Sequence, residues 1–246
     1  MAISILRRGD RGGRRLGRWR YLIAGVATLS VAAGAVAVSR SPLFHVRDIG
    51  VTGAAHLSRA EIVRAVGVTR ETNALWLDER AAERRLERHP WIADAEVRRV
   101  YPRRVEITVA ERVPVAVVVR GERAELVAAD GTGLGGVERA GRLPRIELPP
   151  APALDGAQLD VDGAAAVLGA MTPKLRADVA LVHVGPDGAL DLRMRDGVQV
   201  HLGTATSAGR KASALEKVLA WARVEGESLR VISLFSPHLP TVRFAD

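Results

Sequence analysis

An uncharged segment near the start of the chain limits the possible folds more than any other feature. Residues 21–39 carry no charged side chain and are mostly alanine, glycine, valine, leucine and isoleucine. At about 1.5 Å per residue, a helix of this length spans roughly 28 Å, close to the thickness of the hydrocarbon core of a bilayer. Trp19 and Tyr21 stand where an interfacial aromatic belt lies, and Arg20 and Arg40 can reach the headgroups. The segment predicts one transmembrane helix.

The charge that precedes this segment predicts its orientation. The chain has a net charge of +8, and residues 1–20 supply most of it, with seven arginines against Asp10. Positive flanks stay in the cytoplasm, so we expect a cytoplasmic tail and a single-pass type II protein whose remaining residues are extracytoplasmic. Residues 21–246 carry a net charge of only +2. The high pI of the chain therefore does not indicate a nucleic-acid-binding surface.

Two other interpretations of residues 21–39 stay open. A cleaved signal peptide also has a basic start and an apolar stretch, and Ala35-Val36-Ala37 has the small residues of a cleavage site. The stretch is longer than the usual ~7–15 residues of a signal peptide, which favours a retained anchor. A buried core helix is the third interpretation, and the terminal position of the segment speaks against it.

Residues 40–112 have the pattern of a small α+β domain. Alternating apolar residues predict a strand over residues 44–51. Ser58 and Glu61 form the sequence pattern of a capping box, and Gly67 marks the end of the short helix that follows.

A second helix and a hairpin complete this domain. The helix is expected to begin after Asp78, its N-cap, and to run to about Arg88, because Pro90 follows soon after. Alternation over residues 93–98 and 104–109, on both sides of a turn at residues 101–103, predicts two antiparallel strands. The predicted order is β-α-α-β-β.

Four motifs in this region resemble a known domain: FHVRDIGVTG at residues 44–53, HPWIADAEV at 89–97, YPRRVEI at 101–107 and ERVPVA at 111–116. They are similar to the POTRA domain of the bacterial cell-division family FtsQ, also called DivIB. The basic tail and single anchor before the domain also resemble that family.

Residues 113–246 predict a strand-rich mixed α/β domain. Strands are expected over residues 115–119, 125–129, 179–184, 189–194, 198–202, 231–235 and 241–244, and helices over residues 163–171 and 208–223. Residues 143–152 contain four prolines and predict an extended connection. The segment from Asp196 to Gly203, Lys211 in the next helix and the closing strands resemble the β domain of the FtsQ family.

The sequence offers no recognisable catalytic centre. It has no cysteine, its six histidines are scattered, and it lacks the G-x-S-x-G and G-x-x-x-x-G-K-[ST] motifs. The glycines of residues 131–136 spell G-x-G-x-x-G, but no helical pattern follows, so a loop is expected there. We therefore expect no enzyme activity and no cofactor, metal or small-molecule site.

The free edge of a sheet is the physical basis for expecting a binding protein. Edge strands present unpaired N–H and C=O groups, to which a partner strand can add. The FtsQ resemblance implies such docking at the C-terminal strand, with division partners of the FtsB (DivIC) and FtsL type. Carried onto this chain, the candidate partner-binding residues are Leu234, Phe235, Ser236, Thr241, Val242, Arg243 and Phe244. Phe235 and Arg243 lie off the core alternation.

These observations combine into one hypothesis. The fold class is α+β, with a tail (residues 1–20), a transmembrane helix (21–39), a POTRA domain (40–112) and an FtsQ-type β domain (113–246). The resemblance implies a non-catalytic membrane scaffold at the division septum, which regulates septal wall synthesis through protein contacts. The alternative is an exported or outer-membrane-assembly POTRA chaperone module released by signal-peptide cleavage.

Overall fold

The computed structural model describes residues 13–120, 123–137, 141–148 and 156–245. The chain forms two compact units. The first consists of Met1–Leu86 and Asp94–Val109, and the second of Glu87–Ala93 and Ala110–Asp246. Most of the predicted basic tail, residues 1–12, lies outside the described residues.

A long helix, α1 (Gly13–Ser39), opens the first unit. Apolar side chains on it, among them Ile23, Val26 and Leu29, are more than half exposed. In the described part of the chain, no helix has both the length and the apolar character needed to cross a membrane. The span over residues 21–39 stays a prediction.

The remainder of the first unit is a three-stranded sheet with two helices. The strands stand in the order β1-β3-β2, and β1 runs parallel to β3. The elements are β1 (Asp48–Thr52), α2 (Arg59–Val66), α3 (Glu79–Glu87), β2 (Ile92–Val100) and β3 (Arg104–Glu111). Ile62, Leu86, Val97, Val105 and Ile107 are fully or almost fully buried. The predicted β-α-α-β-β order is confirmed.

The predicted local signals define the ends of these helices. At the start of α2, the Ser58 side chain accepts from the Glu61 N–H, and the Glu61 carboxylate accepts from the Ser58 N–H. Gly67 ends the helix with φ of 70°. The first strand starts later than predicted, because Pro42–Phe44 form a 3-10 turn before it. Strand pairing begins only at Asp48.

The second unit contains a nine-stranded mixed sheet in the order β12-β11-β10-β9-β8-β7-β4-β5-β6. Its strands are β4 (Pro114–Arg120), β5 (Arg123–Ala128), β6 (Gly133–Gly135), β7 (Arg145–Glu147), β8 (Val179–Val184), β9 (Leu190–Met194), β10 (Gln199–Gly203), β11 (Leu229–Ser233) and β12 (Thr241–Phe244). The expected strand-rich α/β domain is therefore present.

Three helices supply the rest of the main core of this unit: α4 (Gly156–Ala170), α5 (Pro173–Asp178) and α6 (Ala208–Glu225). Leu168 of α4 and Leu215 of α6 are fully buried with Ile146, Leu192 and other strand residues. On β9 and β10, alternate residues are buried in this core and the residues between them are more exposed. On β8, a register shift between Val179 and Leu181 interrupts this alternation.

The largest departures from the sequence predictions lie between residues 143 and 178. Residues 145–147, expected to be an extended connection, form β7 between β4 and β8. The helix expected over residues 163–171 already begins at Gly156. A further short helix, α5, which the sequence pattern did not predict, has Pro173 in its first turn and is capped by Thr172.

Candidate partner-binding edge

The strand β12 lies at one end of the nine-stranded sheet. It pairs antiparallel with β11, which pairs parallel with β10. Ile232 on β11 and Leu234 just after it are fully buried. The Leu234 N–H also donates to the His201 carbonyl at 2.7 Å. The neighbour of the edge strand is thus held firmly by the core.

Side chains of β12 alternate between the two faces of the sheet. Val242 is half-buried and packs against the core, whereas Thr241 and Arg243 are exposed. The Phe244 ring lies 6.4 Å from the Trp221 ring of α6, centroid to centroid, with the planes tilted by 60°. Both rings remain partly exposed, so the strand ends in an aromatic pair open to solvent.

The opposite end of β12 carries further exposed apolar groups. Phe235 is 71% exposed and Leu239, in the connection to β12, is 77% exposed. The Phe235 ring covers Gly203, where a Cβ atom, if one were added, would lie only 2.9 Å from Phe235 Cδ1. Since Gly203 also has φ of +65°, its lack of a side chain lets the ring lie against the backbone.

A buried lysine fixes the backbone beneath this ring. Lys211 of α6 is 3% exposed, and its Nζ donates to the Leu202 carbonyl at 2.7 Å and the Thr204 carbonyl at 2.8 Å. These carbonyls flank Gly203. Burial lowers the pKa of the Lys211 ammonium. The helix α6 therefore supports both ends of the edge, through Lys211 and through Trp221.

The outer edge of the first unit is protected by side chains. On β2, the Val97 N–H donates to Glu83 Oε1 at 3.0 Å, and the Arg99 N–H donates to Glu79 Oε1 at 2.8 Å. The Arg99 guanidinium also donates to Glu79, and this hydrogen bond holds the pKa of the Glu79 carboxyl below its usual range. Two outward amides of the strand are thus already occupied.

The edges of the sheets differ in how much of their backbone is covered. On β1, the Arg59 guanidinium donates to the Ile49 carbonyl. In the part of the chain that the structure describes, no side chain forms a hydrogen bond with the main chain of β12. An edge strand without such side-chain partners presents main-chain groups to which another strand can add.

The structure assigns different surroundings to the predicted partner-binding residues. Phe235, Ser236, Thr241, Arg243 and Phe244 are exposed, and Val242 is half-buried. Leu234 is fully buried, so its side chain serves the core. Trp221 and Leu239 belong to the same surface but are not among the predicted residues. Trp221 lies outside the apolar stripe of its helix, and Leu239 lies between two prolines. Either feature could have indicated from the sequence that the side chain is exposed.

The face of the sheet near this edge carries one exposed histidine–aspartate pair. His201 Nδ1 lies 2.7 Å from Asp191 Oδ1 on the exposed face of the sheet. Among the described histidines, aspartates and glutamates, no group of three is placed to hold a metal ion. The arrangement consists of an open strand with apolar groups at both of its ends, which suits the binding of an extended segment.

Comparison with sequence models of protein families gives two matches. Residues 44–112 match the POTRA domain of FtsQ type, and residues 116–234 match the C-terminal domain of the cell-division protein FtsQ/DivIB. The second match ends at Leu234, just before the exposed part of the edge.

Individual relatives agree with these matches. The cell division protein FtsQ of Anaeromyxobacter is 31% identical over 92% of this chain and 82% of its own length. FtsQ of Mycobacteroides abscessus is 27% identical over 90% of this chain and 68% of its own. Among solved structures, the major extracytoplasmic domain of DivIB from Geobacillus stearothermophilus matches with 16% identity and a TM-score of 0.33, over 46% of this chain and 92% of its own.

Proposed function

The chain belongs to the FtsQ/DivIB family of bacterial cell-division proteins, and from this premise we propose that it is a non-catalytic scaffold of the divisome. In this role it links division proteins through protein–protein contacts and thereby regulates septal cell-wall synthesis. The proposed partners are membrane proteins of the FtsB (DivIC) and FtsL type.

The uncovered strand β12 is the observation that supports this proposal most directly. Among the described residues, no side chain forms a hydrogen bond with its main chain, whereas two amides of β2 donate to glutamate carboxylates. Phe235 and Phe244 lie at its two ends and offer apolar contact area to whatever strand adds there. Main-chain hydrogen bonds then supply affinity, and the flanking rings supply specificity.

Membrane attachment belongs to the same proposal. The uncharged segment at residues 21–39, the arginines before it and the exposed apolar side chains of α1 support an N-in anchor. In this organisation residues 1–20 are cytoplasmic, residues 40–112 and 113–246 are two extracytoplasmic domains, and the protein acts at the division septum. Amino-terminal sequencing tests the anchor, because a mature protein that starts at Val38 would show cleavage.

The edge is tested by capture of an FtsB-type partner with variants that keep the strand intact. We expect Phe235→Ser combined with Phe244→Ser to weaken capture about tenfold or more, as is typical of aromatic interface residues. Val113→Ser is the matched control, because Val113 is a 66% exposed apolar residue outside the edge. Equal capture by the double variant, with an unchanged unfolding midpoint, would refute docking at this edge.

The role in division is tested in the native host. Depletion of the chain should give long cells without septa, and re-expression of the full chain should restore septation. Normal septation in depleted cells would count against the scaffold role even if the partner still binds in vitro.

A further inference from the structure

One end of the first unit gathers three connecting segments. Because β1 and β3 are parallel, both begin at this end, and the short turn between β2 and β3 lies there too. The segments are the connection from α1 to β1 (residues 40–47), the connection from α2 to α3 (residues 67–78) and the turn at residues 101–103. We call this the anchor-side end.

Hydrogen bonds tie these segments to each other and to the last turn of α1. Asn73 Nδ2 donates to the Ser39 carbonyl at 2.7 Å, which links the second segment to the helix. Arg103 Nε donates to the Leu43 carbonyl at 2.7 Å, and the Ala74 N–H donates to the Phe44 carbonyl at 2.7 Å. The anchor-side end is therefore one connected surface rather than three independent loops.

Each segment exposes one large apolar or aromatic side chain. Leu43 is 57% exposed, Trp76 is 64% exposed and Tyr101 is 56% exposed. Single exposed apolar residues are ordinary on soluble proteins, but here three of them share the end at which the proposed anchor stops. Trp and Tyr are also the side chains enriched where a membrane meets water.

The charges of the same segments favour an anionic surface. Arg40, Arg47 and Arg70 are exposed, and the acidic residues of the segments are Glu71 and Asp78. Asp78 is engaged in capping α3, where it accepts from the Ala81 N–H at 3.0 Å. A shallow cavity of about 420 Å³ is lined by Pro42, His45, Val46, Arg47 and Arg70.

We propose that the anchor-side end rests in the headgroup layer of the outer leaflet, with Leu43, Trp76 and Tyr101 at the interface and Arg47 and Arg70 on lipid phosphates. This inference rests on the proposed anchor, because α1 must place the surface at the membrane. Its consequence is that the first unit lies against the bilayer instead of moving freely above it. Arginines near an anionic surface and interfacial aromatic residues both contribute to such binding.

The absence of cysteine from the chain makes the test specific, since each introduced cysteine takes the only spin label. The full chain is reconstituted in phosphatidylcholine vesicles with and without phosphatidylglycerol, and label depth is read from collision with oxygen and a nickel chelate. Labels are placed in three variants: Leu29→Cys on α1, Tyr101→Cys on the anchor-side end and Ala54→Cys at the opposite end of the unit.

The expected result is hydrocarbon depth for the label at position 29, headgroup depth at position 101 and full water exposure at position 54. If the label at position 101 is as exposed to water as the label at position 54, while the label at position 29 lies in hydrocarbon, this inference is wrong and the transmembrane anchor is still supported. A water-exposed label at position 29 would refute the anchor, and with it the inference.

Substitutions separate the two kinds of contact. In the Tyr101→Cys background, Arg47→Gln and Arg70→Gln should each lower the ratio of docked to undocked label about fivefold in vesicles that contain phosphatidylglycerol. Trp76→Ser should lower it in both vesicle types. Arg98→Gln is the control, because Arg98 is exposed and outside the three segments. Equal depth in the two vesicle types would overturn the role of the arginines.

Discussion

Gly203 determines where the Phe235 ring can lie. The glycine has a positive φ and no side chain, and the ring occupies the space that a Cβ would need. Lys211 holds the carbonyls on both sides of this glycine. An exposed aromatic residue beside the edge thus depends on a backbone position that is fixed from within the core.

Substitution of this glycine should disturb both the backbone and the ring. We expect Gly203→Ala to lower the free energy of unfolding by about 1 kcal/mol or more, because alanine is strained at positive φ. Gly209→Ala is the control, since it lies in α6 with open space around its Cβ, and alanine there should be neutral or stabilising by up to ~1 kcal/mol. Urea unfolding measures both. Equal stability of Gly203→Ala and the unchanged chain would contradict the close contact.

Lys211 should contribute to stability as a hydrogen-bond donor. Lys211→Met leaves the Leu202 and Thr204 carbonyls without this partner, and we expect a loss of about 1–3 kcal/mol in the free energy of unfolding. Lys217→Met, at an exposed position of the same helix, should have little effect. A loss no larger than that of the control would show that the buried ammonium is dispensable.

The same lysine should leave a signature in the pH dependence of stability. Burial lowers its pKa in the folded chain below the ordinary 10.5. Between the folded pKa and 10.5, the folded chain binds fewer protons than the unfolded chain, so the free energy of unfolding rises with pH in that interval. Lys211→Met should lack this part of the rise in urea titrations at alkaline pH. An identical alkaline slope in both proteins would contradict the assignment.

At the scale of elements, α3 and β2 form a protected edge. The carboxylates of Glu79 and Glu83 lie one helical turn apart and meet amides two residues apart on the strand. Two carboxylates four residues apart on the helix thus reach two amides two residues apart on the strand. One face of α3 therefore covers two outward N–H groups of β2. Such covering is a known defence against unwanted strand pairing.

Removal of one carboxylate should weaken this arrangement and change its acid sensitivity. We expect Glu79→Gln to cost about 0.5–1 kcal/mol, since the Glu79–Arg99 pair is about two-thirds buried. The pKa of Glu79 is lowered, so its contribution is complete above pH 4.5 and is lost as pH falls through the folded pKa. The variant should therefore have a flatter stability profile below pH 4.5. Glu96→Gln, in a more exposed pair, should cost less free energy of unfolding than Glu79→Gln.

Local sequence patterns predict most elements but not those that depend on distant pairing. The capping box at Ser58, the hairpin around residues 101–103 and the strand β12 are encoded by neighbouring residues. By contrast, β7 has three residues and pairs parallel with two strands distant in sequence, so it leaves no periodic signal. The role of Pro173 is ambiguous in the sequence, because a proline that follows one helix can also begin the next.

The same distinction applies to the candidate edge. Alternation correctly predicts that Phe235 and Arg243 are exposed, because each lies one position away from a core residue. The contact between Trp221 and Phe244 joins two elements and could not be inferred from either one. Which of the edge residues contact a partner stays a prediction.

At the scale of the whole molecule, Arg112 binds residues 87–93, a segment about twenty residues earlier in the chain, to the second unit. Its guanidinium contacts Asp130 Oδ2 at 2.7 Å and the Pro90 carbonyl at 3.0 Å, and it also donates to the Ile92 carbonyl. Residues 87–93 are therefore part of this unit although they precede it in sequence. The domain boundary between residues 112 and 113 stays a prediction.

Loss of this guanidinium should loosen the segment first. We expect Arg112→Ala to lower the free energy of unfolding of the second unit by about 0.5–1.5 kcal/mol, because Asp130 and the Pro90 and Ile92 carbonyls lose their donor. Hydrogen exchange should accelerate in residues 87–93 and in β4 and β5 more than in β9 and β10. Arg123→Ala, at an exposed position of β5, is the control. Uniform acceleration across the unit would contradict a local role.

The unequal covering of the strands also bears on whether copies of the chain can form fibres. A growing fibre needs a receptive strand on both sides of each subunit. Among the described edge strands, β12 is uncovered, whereas β2 is occupied by carboxylates, the Ile49 carbonyl of β1 is occupied by Arg59 and β6 is only three residues long. Pairing of folded chains through β12 should therefore stop at two copies.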